Sequence, residues 1–197
     1  MPNWCENQLS ITGKKKDIMD ILKVMCRQVS DNGNIVGEIE DIKIEDLDAL
    51  EINILHNLYP TPEDLLIGDA PMGNLNEKQI ANKEKHGYTD WYDWRITHWG
   101  CKWAESDLRV TEYPIVENDI WTVGFRFESP WAPPIDGLSH IAADWPKILF
   151  CLYYEEPGMG FCGSNVWANG EMERSEEAEL VSDYFDEDYL YNEYMNK

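Results

Sequence analysis

Three groups of residues in this chain have types and spacings that can do chemistry. His98 and Cys101 stand three apart, so on a helix they share one face and supply half of a four-ligand metal site. The alternative is a buried thiol beside a capping or core histidine. Asp93, Arg95 and His98 fall in one short segment, and Glu155 and Glu156 are adjacent. Acids and bases of this kind transfer protons when a fold brings them within hydrogen-bond reach. They serve equally well as a structural network.

The third group is a run of carboxylates near the end of the chain: Glu176, Glu179, Asp183, Asp186, Glu187 and Glu193. A helix over 176–193 collects them on one half. Its other half holds Ala178, Leu180, Val181, Tyr184, Phe185, Tyr189 and Tyr191. At 1.5 Å rise per residue the acids span about 26 Å, roughly one charge per 4 Å. One DNA strand carries a phosphate about every 3.4 Å, so such a row imitates a phosphate backbone. The alternative is an ordinary solvated face.

No GxSxG, HExxH, P-loop or GxGxxG stands in the sequence, and nothing in it calls for a cofactor. Gly158-Met159-Gly160-Phe161-Cys162-Gly163 has the glycines of a phosphate loop but neither a following helix nor basic residues. The five cysteines (Cys5, Cys26, Cys101, Cys151, Cys162) are widely spaced and form no CxxC. Met1 to Glu6 lacks the basic start and apolar stretch of a cleaved secretory signal, so reduced thiols in a cytoplasm are expected. No apolar run reaches the 18 or so residues of a membrane span.

Charge narrows the partner. The 197 residues carry 38 acids against 16 bases, net −22. That field repels DNA, RNA and anionic lipid, so direct nucleic-acid or membrane binding is not expected. It suits a basic partner, a cation, or solubility alone. Residues 1–30 are net +2, 31–70 net −10, 71–154 net −4 and 155–197 net −10. Two acidic blocks thus flank a nearly balanced middle. Glu45, Asp46 and Asp48 of the first block join the six acids of the second as candidate partner contacts.

The elements that must position these groups follow from hydrophobic periodicity. Gln8–Thr12 alternates and ends at Gly13, a strand. Ile18, Ile21, Leu22, Met25 and Val29 then mark one face of a helix over 14–29. Residues 46–58 suggest a helix, and Thr61-Pro62-Glu63-Asp64 a capped turn with Thr61 as N-cap. Asn76–His86 reads as a polar helix stopped by Gly87. Thr89 and Gly100 bracket an aromatic helix holding Trp91, Trp94 and Trp99. Strands follow at Leu108–Tyr113 and Trp121–Phe127, a helix at Ile135–Asp144, and strands at 147–155 and Phe161–Ala168. The nearly all-apolar run Ile148–Tyr154 suggests a central strand covered on both faces.

This order predicts an α+β fold. It is a ferredoxin-like βαββαβ antiparallel sheet with an extra C-terminal strand, an α-helical insertion and an acidic C-terminal helix. One domain is expected over 1–170, with the insertion at about 31–106 and the helix in 171–197. Trp4, Trp94, Trp99, Trp103 and Trp131 are expected to interlock as core. A base-stacking surface is the alternative that the charge opposes.

Four motifs recur together in a known family: Met1-Pro2-Asn3-Trp4-Cys5-Glu6-Asn7, Asp93 to Trp103, Glu128-Ser129-Pro130-Trp131-Ala132-Pro133-Pro134, and Tyr154-Glu155-Glu156-Pro157-Gly158-Met159. On these the chain resembles the YubB-type ferredoxin-like domain family of phage and plasmid proteins, over roughly 1–30 and 88–170. The resemblance implies the ferredoxin-like fold and a mobile-element origin. It implies no catalytic residue, because the family has no established activity. Segments 31–70 and 171–197 lie outside it.

Two functional expectations follow. One is a non-catalytic acidic inhibitor that occupies the nucleic-acid channel of a basic host defence protein, such as a CRISPR or restriction nuclease. The other is a protein- or peptide-binding module whose acidity is incidental. An enzyme needs a pocket that the sequence does not show.

Overall fold

The computed structural model describes residues 2–26, 28–29, 35–37, 42, 47, 50–66, 75–117 and 119–180. A six-stranded antiparallel sheet is built from β1 (Trp4–Lys14), β4 (Ser106–Glu117), β5 (Ile120–Pro130), β6 (Leu149–Glu156), β7 (Phe161–Ala168) and β8 (Glu171–Glu179). Its order is β4-β5-β1-β6-β7-β8. Taking β1, β4, β5 and β6 as strands one to four gives the order 2-3-1-4 of the ferredoxin-like fold, which the β7–β8 hairpin extends. A small ladder of β2 (Gln28–Val29) and β3 (Ile35–Gly37) stands apart.

Alternation sets the faces. β1 buries Cys5, Asn7, Leu9 and Ile11 and turns Trp4, Glu6, Gln8, Ser10 and Thr12 outward. Register places Leu9 between Phe125 and Leu152, and Ile11 between Val123 and Phe150, in one apolar layer. Helices α1 (Lys15–Met25) and α5 (Ile135–Asp144) cover that layer. α1 buries Ile18, Ile21, Leu22 and Met25, and α5 buries Leu138, Ile141 and Ala142. A helix of 11 residues is marginal alone in water, so this stripe is what holds α1. Each of its larger side chains contributes about 1.5–3 kcal/mol on burial.

Several expectations are corrected. α1 ends at Met25 rather than Val29, which belongs to β2. β6 is not covered on both faces: only Phe150, Leu152, Tyr154 and Glu156 are buried, and the residues between them are half-exposed. The 176–193 helix is wrong at its start, because Glu176 and Glu179 lie in the sheet's sixth strand. The cause is Asn169-Gly170, with φ of +55° and +86°. Two successive residues at positive φ make the hairpin turn that suits strand twist, so the chain doubles back rather than stopping. Residues 181–193 of that segment lie outside the described residues.

Between β3 and β4 the main described elements are α2 (Ile54–Leu58), a 3-10 turn (Glu63–Leu65), α3 (Glu77–His86) and α4 (Trp91–Trp99). Within the segment read as a helix over 46–58, the α-helix among the described residues is α2, at its end. α3 begins with a reciprocal Asn76–Gln79 capping box and ends at Gly87, φ +81°. α4 is capped by Asp90, whose side chain accepts the Tyr92 N–H, and Thr89 instead donates to Asp90 at 2.7 Å. Gly100, φ +82°, ends it. Thr61 does not cap the 3-10 turn; its buried hydroxyl accepts the Arg95 Nε–H at 2.9 Å.

Glu105 ties this insertion to the sheet. Its carboxylate accepts the backbone N–H groups of Ile54 and Leu55 at the start of α2, where Asn53 gives no side-chain cap. Glu105→Ala should therefore cost about 1–2 kcal/mol, the usual loss of a cap. Burial holds the Glu105 carboxyl above its ordinary value, with the N–H bonds pulling the other way. The folded state thus holds this proton more tightly than the unfolded chain. The stability it contributes is complete below the ordinary carboxyl value and is lost as pH rises through the raised one. Chemical denaturation across this window should show a flatter profile for Glu105→Gln. An unchanged profile would assign the titration to another group.

Candidate functional site

The aromatic helix builds a compact network. Trp94 and Trp99 are 6% and 0% exposed, and Arg95 is 9% exposed between them in sequence. The Arg95 guanidinium lies 5.0 Å from the Trp91 ring and 4.6 Å from the Trp99 ring. It turns to these rings and to Thr61 rather than to Asp93, whose side chain is exposed. Burial lowers the Arg95 pKa to about 10, so it stays charged at neutral pH.

His98 stacks on Trp94 at 4.4 Å, and its Nδ1 shares a 2.9 Å hydrogen bond with the Tyr59 hydroxyl. His140 of α5 stacks on the other side of the cluster, 4.5 Å from Tyr59. Burial, then His140, lowers the His98 pKa, while Asp136 opposes them. Burial raises the pKa of Tyr59, the wrong direction for an activated base.

Cys101 does not join His98. Its thiol donates to the Trp103 carbonyl at 3.0 Å, and burial followed by Glu105 pushes its pKa up. A metal needs the thiolate. No group of three or more His, Cys, Asp or Glu that could hold a metal occurs among the described residues. Burial, then Glu156, likewise raises the Cys5 thiol to about 12. All five cysteines are free. Glu155 and Glu156 do not converge as an acid–base pair, because adjacent strand residues point to opposite faces. Glu156 is fully buried, accepting the Met159 N–H with one oxygen while the other has no partner.

Of the candidate partner contacts, Glu176 and Glu179 are exposed on β8, and Arg174 pairs with Glu176. Asp183, Asp186, Glu187, Glu193, Glu45, Asp46 and Asp48 lie outside the described residues. β8 is an edge strand whose five glutamates stand against one arginine. Sequence reasoning missed Glu171, Glu173 and Glu177 as members of this strand. The Asn169-Gly170 turn was the signal that marks it.

The tryptophans divide. Trp94, Trp99, Trp121 and Trp167 are buried, but Trp4, Trp103 and Trp131 are 36%, 39% and 52% exposed. The expectation that these last three are core is overturned. Trp4 begins β1, Trp131 directly follows β5, and Trp103 lies in the connection between α4 and β4, none of them under a described helix that would cover an indole. An open cleft of about 800 Å³ lies at the other end of β1, among Lys14, Lys16, Lys147 and Asp17. It is away from every site residue named above.

Residues 98–190 match a family model described as the ferredoxin-like domain in Api92-like protein. The match covers just under half of the chain and begins within α4. A crystal structure of protein api92 from Yersinia pseudotuberculosis is similar over 94% of this chain and 100% of its own, with a TM-score of 0.51 and 11% identity. At that identity the likeness is one of fold. No curated protein matches the sequence. The similarity is thus to an Api92-like ferredoxin-like domain, and of the expected resemblance the ferredoxin-like fold holds. No helix among the described residues is long and apolar enough to cross a membrane.

Proposed function

We propose that this chain is a non-catalytic binding protein that takes up a basic surface of another protein, acting there as a nucleic-acid mimic. The observation that supports this reading best is β8. Five glutamates on one edge strand, in a chain of net −22, concentrate negative field where another molecule can approach. The sharpest form of the reading makes the partner a basic host defence protein, such as a CRISPR or restriction nuclease, met in the cytoplasm of a cell carrying a phage or plasmid. Five free thiols suit that compartment.

Affinity for such a partner should fall steeply with salt, and DNA should displace the protein. Reversing Glu176 and Glu179 to Lys should shift stability by about 0.5 kcal/mol or less per site, as surface changes do, and the full variant reverses Asp183, Asp186 and Glu187 with them. Recovery of a basic nucleic-acid-binding protein on the immobilised chain at low salt should collapse with that variant. Intact recovery by the folded variant would move the assignment to a second reading, a ferredoxin-like protein-binding module with incidental acidity. One observation favours that second reading: charged residues on an edge strand also prevent strand-to-strand aggregation.

A further inference from the structure

The sheet face opposite α1 and α5 carries an arrangement that β8 does not explain. Register sets Glu128, Glu6 and Glu155 side by side on β5, β1 and β6. All three occupy the outward alternation of their strands. Like charges directly across a ladder repel, so this row works against the fold. The cations nearest in the lattice of the sheet are already committed. Arg126 pairs with Glu6, and Arg109 of the next strand pairs with Asp107 at 2.8 Å. No cation among the described residues pairs with Glu128 or Glu155.

Two residues before Glu6, on the same face, stands Trp4. Its ring lies 6.4 Å from Trp103, tilted by 33°, with more than a third of each residue exposed. Trp131 follows the β5 partner of Trp4 and is half exposed with a backbone φ of +71°. That conformation is unusual for a bulky side chain, and its N–H is fixed to the Asn3 carbonyl at 2.9 Å. Exposed indoles grouped beside a row of carboxylates, of which Glu128 and Glu155 have no cation among the described residues, mark a surface built for a partner rather than for solvent.

We propose that this face, opposite α1 and α5, docks an arginine-bearing segment of the basic partner. The inference rests on the reading above and names the chemistry of its contact. A guanidinium satisfies both halves of the surface: its planar fork pairs with carboxylates and its flat face stacks on indoles. An ammonium does only the first well. The protein uses the same chemistry internally, where the Arg95 guanidinium lies near the Trp91 and Trp99 rings. Lys102 already lies 4.6 Å over the Trp103 ring, so an arriving guanidinium displaces an ammonium there. Trp4 and Glu6 are about 7 Å apart along the strand, within the reach of neighbouring side chains of one extended segment.

The test is titration of the full chain at low salt with nona-arginine and nona-lysine peptides, read by calorimetry and tryptophan fluorescence. Glu128→Lys with Glu155→Lys should weaken nona-arginine tenfold or more. Glu77→Lys with Glu84→Lys on α3 makes the same charge change elsewhere and should cost less than threefold. Trp4→Ala with Trp103→Ala should remove the preference for arginine over lysine. Removing like-charge repulsion should leave the face variant folded, checked by circular dichroism. Equal losses from the face and α3 variants would overturn the proposal, since net charge alone would then explain binding. So would an arginine preference that survives loss of both indoles. If the β8 reversal abolishes peptide binding and the face variant does not, this inference falls while the acidic-binder reading stands. If the wild type binds neither peptide, both fall.

Discussion

Trp99→Ala should lower the unfolding free energy by about 3–5 kcal/mol, the cost of truncating a large core side chain. For a chain of this size that is a fall in melting temperature on the order of 10 °C. Three losses coincide. Trp99 is 0% exposed, so its removal leaves a cavity where α4 meets α5. Its Nε1–H is the donor to the Tyr59 carbonyl at 2.9 Å, which would be left unpaired. Its ring is one of the two surfaces on which the Arg95 guanidinium lies, so a buried cation loses half of its aromatic support. α5 has no room to compensate freely: a Cβ at Gly137 would already come within 3.3 Å of the Trp99 Cα. Trp103→Ala is the internal comparison. At 39% exposure it should cost well under half as much. Equal melting shifts for the two would mean that the insertion is not anchored through Trp99.

The contrast between these tryptophans shows where the sequence is legible. Strands and helices that bury one face announce themselves by period. Ile135–Asp144 and Phe161–Ala168 form as their patterns predict, and the split order of α and β elements yields the 2-3-1-4 sheet. Sequence spacing says that a tryptophan is on a face but not whether anything lies above it. Trp94 and Trp99 have α5 and Tyr59 over them, whereas Trp4 and Trp131 sit at the ends of β1 and β5. β8 was illegible for a different reason. Its side chains are nearly all polar, so it has no apolar period, and a helical period could be drawn through Ala178 and the aromatics beyond it. Only the turn residues carried the information. The row of Glu128, Glu6 and Glu155 comes from three distant segments, so no local pattern contains it.

Gly163→Ala should detach β8 from the sheet, with an overall cost at or above about 1–3 kcal/mol, the usual range for overpacking. Gly163 faces Tyr154 on β6 and Glu177 on β8. A Cβ there would collide with the Tyr154 hydroxyl and come within 2.5 Å of the Glu176 backbone carbonyl. Tyr154 is 1% exposed and cannot swing into solvent. The carbonyl belongs to the β8 backbone, so relief requires the strand itself to move. β8 is the element that can yield, since it is paired on one side and exposed over most of its length. Hydrogen exchange should therefore show protection lost across 171–179 and retained in β1, β5 and β6. Tyr154→Phe added to Gly163→Ala removes the hydroxyl collision but leaves the ring Cζ and the Glu176 carbonyl each 2.5 Å from the new Cβ, so rescue should be partial. Full rescue would place the constraint in the tyrosine, and retained protection in β8 would show that the two strands have slack to take up a methyl group. Because β8 carries Glu176 and Glu179, the same variant separates the edge strand from the sheet face in binding. It should weaken contacts that need ordered β8 carboxylates and leave Trp4, Glu6, Glu128 and Glu155 in place.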